Sequence, residues 1–138
     1  ACRALSAPAD GAARLSLTPV AGYTFNLPAD QAWMDTGLLV RKNQAVQIAY
    51  LSGVTSDAQT AMPDASGYGY VCGRQDCCEP LPSAPRGALI GRVGQEVFYI
   101  GNGKTLSMPA AGSLQVRVND CDTGLYDNRG SLNIIILP

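Results

Sequence analysis

The stretch LQVRVND, residues 114–120, alternates apolar and polar side chains. Because successive side chains of a β-strand point to opposite faces, a period of two predicts a strand with one buried face and one solvated face. The expected inward positions are Leu114, Val116 and Val118, and the expected solvent-facing positions are Gln115, Arg117 and Asn119.

Short strands and turns account for the rest of the chain. The alternation recurs in two further segments, at Val46, Ile48 and Tyr50 and at Leu132, Ile134 and Ile136. Gly and Pro, at 15 and 9 of 138 residues, favour many turns. We predict strands over 14–17 and 38–52 and a loop region over 53–85. These features indicate an all-β chain: one jelly-roll β-sandwich domain over residues 1–138, without a substantial helix, in which residues 1–13 are an N-terminal extension.

Charge and residue content exclude several classes of function. The formal net charge is −1, which offers none of the cationic surface that nucleic acid requires. The chain has no histidine, which excludes serine triads, Cys-His peptidases and His-ligated zinc. No apolar run approaches the roughly 18 to 20 residues of a membrane span. Carboxylate chemistry, thiol chemistry and binding without chemistry remain open, and of these we expect binding, by a protein that is neither an enzyme nor membrane-spanning.

Cysteine usage indicates an oxidising compartment, so we expect a secreted, periplasmic or cell-surface protein. The chain has five cysteines: Cys2, Cys72, Cys77, Cys78 and Cys121. Cys72 and Cys77 can close a short loop, whereas adjacent Cys77 and Cys78 cannot bond to each other without strain. Cys78 is then left to pair with Cys121 or Cys2. Because the number is odd, Cys2 is a candidate lipoprotein anchor, or else a disulfide ties down the N-terminus.

An acidic loop follows the strand at 114–118. Residues 119–131, NDCDTGLYDNRGS, hold three carboxylates and two side-chain amides between two predicted strands. Calcium prefers such oxygen ligands, together with backbone carbonyls. The loop is not an EF-hand, because Leu125 stands where that motif needs Gly and Ser131 where it needs Glu. The alternative is a solvated turn rich in Asp and Asn.

Five segments carry a family resemblance through their order and spacing: WMDTG at 33–37, the strand from Val46 to Gly53, GALIGRVG at 87–94, LQVRVND at 114–120 and DNRGS at 127–131. Over roughly residues 33–137 the chain resembles the PA-IL-like family of calcium-dependent, galactose-binding bacterial lectins. The resemblance implies a small jelly-roll β-sandwich in which calcium in the last loop binds sugar hydroxyls directly. Members of this family often oligomerise, so a homo-oligomer is left open.

The resemblance also implies a ligand set for calcium. Asp120, Asp127 and Asn128 match the side-chain ligands of the family, and Gly124 matches a backbone carbonyl ligand. A further carbonyl ligand follows the strand that ends near Gly53, and Asp57 is the expected residue. The proposed cofactor is therefore Ca²⁺.

The sugar contacts of the family carry over less well. Cys72 and Cys77 match the spacing of the family's cysteine pair, but Ala65 and Tyr68 stand where the family has a His and a Gln that contact galactose. Tyr68, with Tyr70 and Tyr126, could instead stack on a pyranose or pack on the loop. The expected sugar-binding residues are Asp120, Cys121, Asp127, Tyr68 and Tyr126, with Cys121 closing the site if it bonds to the 72–78 cluster.

Three other functions fit parts of the sequence. The first is a calcium-stabilised accessory module without sugar binding. The second is an aspartic peptidase using Asp35, since Asp-Thr-Gly occurs at 35–37 and at 122–124; such an enzyme needs two carboxylates that share a proton. The third is thiol chemistry at the 72–78 cluster, where structural disulfides are the simpler interpretation.

Overall fold

The computed structural model describes residues 22–138. Cys2, the extension 1–13 and the predicted strand 14–17 lie outside the described residues. The described part contains ten strands and a short 3-10 helix, Asp122–Asp127. The strands are β1 (Tyr23–Pro28), β2 (Met34–Val40), β3 (Ala45–Ser52), β4 (Thr55–Ser56), β5 (Ala61–Met62), β6 (Leu89–Val93), β7 (Glu96–Tyr99), β8 (Gly103–Ser107), β9 (Gly112–Val118) and β10 (Arg129–Leu137).

Two antiparallel sheets form a β-sandwich, which confirms the predicted fold class. One sheet has the order β5-β4-β10-β3-β8, with β1 also paired to β10. The other has the order β2-β9-β6-β7. Within residues 22–138 no helix is long and apolar enough to cross a membrane.

The core lies between the sheets and follows the predicted alternation. Val46 and Ile48 of β3, and Val116 of β9, are fully buried. Leu132, Ile134 and Ile136 of β10 are likewise 0% exposed. Each such side chain contributes roughly 1.5–3 kcal/mol through its removal from water. These residues anchor β9 and β10 in the core, and the acidic loop connects these two strands.

The predicted strand 38–52 is wrong as a single element. The structure breaks it between β2 and β3 with a turn in which Asn43 has a positive φ of 70°. Asn tolerates this left-handed conformation better than most residues, so a turn forms without Gly or Pro. The turn is held by hydrogen bonds between the backbones of Met108 and residues 43 and 44.

The expected solvated face of β9 is also wrong in part. Arg117 is 1% exposed and Asn119 is 0% exposed. The guanidinium carbons of Arg92 and Arg117 lie 4.5 and 5.6 Å from the ring centroid of Trp33, which covers this face. Arg117 and Asn119 are both hydrogen-bonded, so their polar groups have partners although they are buried.

Candidate functional site

Asp120 lies two residues beyond the end of β9, and its side chain bonds within the acidic loop. The residue is 7% exposed. Its Oδ1 accepts a 2.7 Å hydrogen bond from the backbone N–H of Cys121, and its Oδ2 accepts a 2.9 Å bond from Nδ2 of Asn128. Each carboxylate oxygen has a second lone pair, so these bonds orient Asp120 without exhausting its capacity as an acceptor.

Asn128 lies where the 3-10 helix meets β10, and it is 2% exposed. Its Nδ2 donates to the carbonyl of Ala29 at 3.1 Å as well as to Asp120, which fixes the orientation of the amide. The other amide atom, Oδ1, is buried and has no hydrogen-bond partner among the described residues. Since an unmatched buried acceptor is costly, this oxygen is suited to a ligand such as a cation.

A cavity of about 230 Å³ opens beside Asp120. Its lining residues are Asp57, Ala58, Gln59, Arg86, Asp120, Gly124 and Asp127. Four of the five predicted metal ligands therefore surround one space, and the fifth, Asn128, is bonded directly to Asp120. A Cβ added at Gly124 would lie 3.4 Å from Oδ1 of Asp120, which places Gly124 against this carboxylate.

Strand pairing explains why Asp57 reaches this cavity. Ser56 of β4 pairs with Arg129 of β10, so the residues just beyond this pair meet at one end of the sheet. Oδ1 of Asp57 accepts hydrogen bonds from the backbone N–H groups of Gln59 and Thr60 at 2.8 and 2.6 Å, which shapes the turn between β4 and β5.

Arg86 adds a cation to the cavity wall that sequence reasoning did not assign. Its Nε and Nη2 donate to Oε2 of Glu79 at 2.9 and 2.6 Å, and its Nε lies 3.9 Å from Oδ1 of Asp120. Burial acts to lower the pKa of Arg86, but the hydrogen bond and charge of Glu79, assisted by Tyr68, raise that pKa above its ordinary value. Arg86 is therefore a permanent positive charge.

The tyrosines predicted to contact sugar lie in different surroundings. Tyr68 is half-buried and stacks on Tyr70 with ring centroids 6.5 Å apart, and the guanidinium of Arg86 lies 4.8 Å from the Tyr70 centroid. Tyr126 is 79% exposed and does not line the cavity. Ala65 is fully buried in the core.

Two disulfides tie the loop region to the acidic loop. Cys72 bonds to Cys77, and Cys78 bonds to Cys121, so of the two expected partners for Cys78 the structure has Cys121. The second bond connects the residue before Glu79 to the residue after Asp120. It therefore joins the two chain segments that carry the charged groups of the cavity.

Asn119 strengthens the same connection from within the core. Its Oδ1 accepts from the N–H of Leu81 at 3.1 Å. Its Nδ2 donates to the carbonyls of Leu81, Ala84 and Pro85. This one amide therefore fixes the loop just before Arg86 against the end of β9.

Arg117 of β9 holds the start of the acidic loop through hydrogen bonds. It donates to the carbonyls of Val118 and Asp120 at 3.1 and 2.7 Å, and to Oδ1 of Asp122 at 2.7 Å. Because the guanidinium is planar and fork-shaped, these bonds set the direction of the chain as it leaves β9. A pattern of alternating residues gives no signal for this role.

The two Asp-Thr-Gly segments have local structural roles. Asp35 is exposed, and its Oδ1 accepts from the N–H of Gly37 at 2.8 Å inside β2, where the pairing with β9 shifts register. Asp122 has a 76% exposed side chain and pairs with Arg117. Neither carboxylate has the buried setting in which an acidic dyad shares a proton.

The residues around the cavity fit a calcium ion by donor type. The carboxylates of Asp120 and Asp127, the partnerless Oδ1 of Asn128 and backbone carbonyls of the lining residues are hard oxygen donors. Within residues 22–138, the only triplets of acidic or cysteine ligand atoms that gather within 4.8 Å are Cys72, Cys77, Glu79 and Cys78, Glu79, Cys121, each of which contains a disulfide. A cation at Asp120 would thus depend on amide and carbonyl oxygens as well as carboxylates.

Comparisons with known proteins find a likeness in structure and none in sequence. No protein-family model matches the sequence, and no curated protein matches it. Among solved structures, the EclA N-terminal domain, described as a PllA-like lectin, superposes with a TM-score of 0.63 at 22% identity, covering 83% of this chain and 94% of that one. At this level of identity the likeness establishes a shared fold: the chain has the β-sandwich fold of that domain.

Proposed function

We propose that this chain is a calcium-dependent carbohydrate-binding module whose ligand site is the cavity between the β4–β5 turn and the acidic loop. The observation that carries the proposal is the convergence of Asp57, Asp120, Gly124 and Asp127 on one cavity, with the partnerless Oδ1 of Asn128 bonded through its amide to Asp120. The lectin fold of the similar domain supports the same class of function.

In this proposal Asp120, Asp127 and Asn128 hold calcium with side-chain oxygens, and Gly124 and Asp57 contribute backbone carbonyls. Bound calcium supplies open coordination positions that sugar hydroxyls can fill. The chain's own residues orient the site: Arg117 fixes the backbone of Asp120, and the Asn128 amide holds its carboxylate.

The polar lining suits a saccharide. Carboxylates accept hydrogen bonds from sugar hydroxyls, and Arg86 and the amide of Gln59 can donate to them. Cys121 keeps its proposed place at the edge of the site through its bond to Cys78. Neither Tyr68 nor Tyr126 lines the cavity, so we assign Tyr68 a supporting contact to Arg86 and do not retain Tyr126 among the sugar contacts. We also propose an exported protein, because two disulfides are typical of oxidising compartments.

The burial of Asn128 favours a second function, in which calcium is a structural ion. Asn128 is 2% exposed and does not line the cavity, which suits an ion enclosed by protein as much as one that faces a ligand. In that case calcium would only stabilise the fold, by binding to the native state alone.

One experiment separates the two functions. A glycan array is probed with the protein in calcium and again in excess chelator, while melting temperature is followed under the same two conditions. Carbohydrate binding that disappears with chelator supports the proposal. A fall in melting temperature without glycan binding supports a structural ion, and insensitivity of both measurements to chelator contradicts calcium binding.

A further inference from the structure

Arg86 brings a guanidinium group into a cavity whose other charged lining residues are Asp57, Asp120 and Asp127. Its side chain is 31% exposed, which is enough to meet a ligand. Glu79 engages its Nε and Nη2, which leaves Nη1 as the guanidinium nitrogen not bonded to that carboxylate.

The position of Arg86 is fixed before any ligand arrives. Glu79, whose side chain is 2% exposed, holds one edge of the guanidinium, and the Tyr70 ring lies 4.8 Å from its central carbon. The backbone N–H of Arg86 also donates to the carbonyl of Tyr70 at 2.8 Å. A donor held in this way loses little conformational entropy on binding.

The charge around Arg86 is negative in total. Counting Glu79, four carboxylates stand against one guanidinium, and the two charges of a bound calcium ion would still leave one negative charge in excess. A carboxylate-bearing sugar would therefore meet repulsion, whereas neutral hydroxyl groups can accept from Arg86 and donate to the aspartates.

We infer that Arg86 is a specificity-determining residue that donates hydrogen bonds to a neutral saccharide, and that the cavity rejects sialic and uronic acids. This inference rests on the proposed carbohydrate-binding function. It assigns to Arg86 a recognition role and to the aspartates a second role besides metal binding, the exclusion of anionic sugars.

The test uses a glycan array that carries neutral hexosides, sialosides and glucuronides, probed in calcium over a range of protein concentrations. Arg86→Lys keeps the charge and removes the planar fork. The double variant Arg86→Met/Glu79→Gln removes both charges of the ion pair, so that Glu79 is not left as a carboxylate without its partner. Arg74→Met is the matched control, because Arg74 pairs with Asp76 on the surface, outside the cavity.

Wild type should bind neutral hexosides and not sialosides or glucuronides. Arg86→Lys and the double variant should bind the same hexosides at least about tenfold more weakly, as expected for a lost charge-assisted hydrogen bond, while Arg74→Met binds as wild type does. Unchanged binding by both Arg86 variants, or preference of wild type for anionic sugars, overturns the inference alone. Absence of any glycan binding by wild type overturns the proposed function and the inference with it.

Discussion

The side-chain amide of Asn128 donates to Oδ2 of Asp120 across 2.9 Å, which joins the two ends of the acidic loop. The same amide carries the buried, partnerless Oδ1. One residue thus both orients the central carboxylate and offers an additional oxygen, which makes it the sharpest place to test for a cation.

Asn128→Ala should abolish the response of stability to calcium. Calcium at about a hundred times its Kd stabilises a native protein by about 2.7 kcal/mol, which raises the melting temperature by several degrees. The variant loses Oδ1 and the bond that orients Asp120, so its melting temperature should be the same in calcium and in chelator. Differential scanning calorimetry measures this.

Asn26→Ala is the control for that comparison, because Asn26 is exposed and the hydrogen bonds of its side chain go to the side chains of Ser131 and Asn133. It should keep the full calcium response. An Asn128→Ala protein stabilised by calcium as much as wild type would remove Asn128 from the ligand set.

The disulfide between Cys78 and Cys121 should contribute more stability than the one between Cys72 and Cys77. The sequence separations are 43 and 5 residues. By loop entropy in the unfolded chain, these correspond to about 4 and about 2 kcal/mol. The free energy of unfolding is measured in guanidinium chloride for the variants Cys78→Ala/Cys121→Ala and Cys72→Ala/Cys77→Ala. Equal losses of stability in the two variants would contradict the prediction.

Arg117→Met should destabilise the fold by about 2 kcal/mol or more, because the buried carbonyl of Asp120 loses its guanidinium donor and that of Val118 loses one of its donors. Asp122→Asn is the comparison, since Asp122 is mostly exposed and its loss should cost less than about 1 kcal/mol. Urea unfolding measures both. Similar costs for the two variants would show that the ion pair, and not the carbonyl contacts, is what matters.

Asp64 gives a pH-dependent prediction. Hydrogen bonds from the Ser66 side chain first, then from the Ser66 backbone and from Asn102, lower the pKa of Asp64 below its ordinary value of 3.8. A lowered folded pKa means that the stabilising contribution is present above pH 3.8 and is lost as the pH falls below it. Ser66→Ala should move the pKa of Asp64 upward, as followed by carboxyl-carbon NMR titration. If the pKa of Asp64 is the same in the variant, the Ser66 hydroxyl is not the main cause of its lowering.

The sequence predicts the strands whose burial alternates. Leu132, Ile134 and Ile136 are buried as expected because β10 has one face on the core, while the intervening side chains of its other face are only partly buried. Periodicity records this condition directly. Arg117 departs from the alternation, because Trp33 and the carbonyl of Asp120 give it a buried polar environment that depends on tertiary contacts.

The acidic half of the cavity was predictable and the basic half was not. Asp120, Asp127 and Asn128 lie within one loop, so their proximity is visible in the chain. Arg86 and Glu79 belong to a region without periodicity, and the Cys78–Cys121 bond and the Asn119 contacts hold that region beside Asp120. Long-range connections of this kind leave no local pattern.

A crystal structure of the protein grown with calcium and a neutral hexoside that binds on the array tests the central claim most directly. We expect one calcium ion between Asp120, Asp127 and Oδ1 of Asn128, with hexoside hydroxyls on the ion and Arg86 in contact with the same sugar. A hexoside bound elsewhere on the sandwich, with no ion at Asp120, would contradict the account.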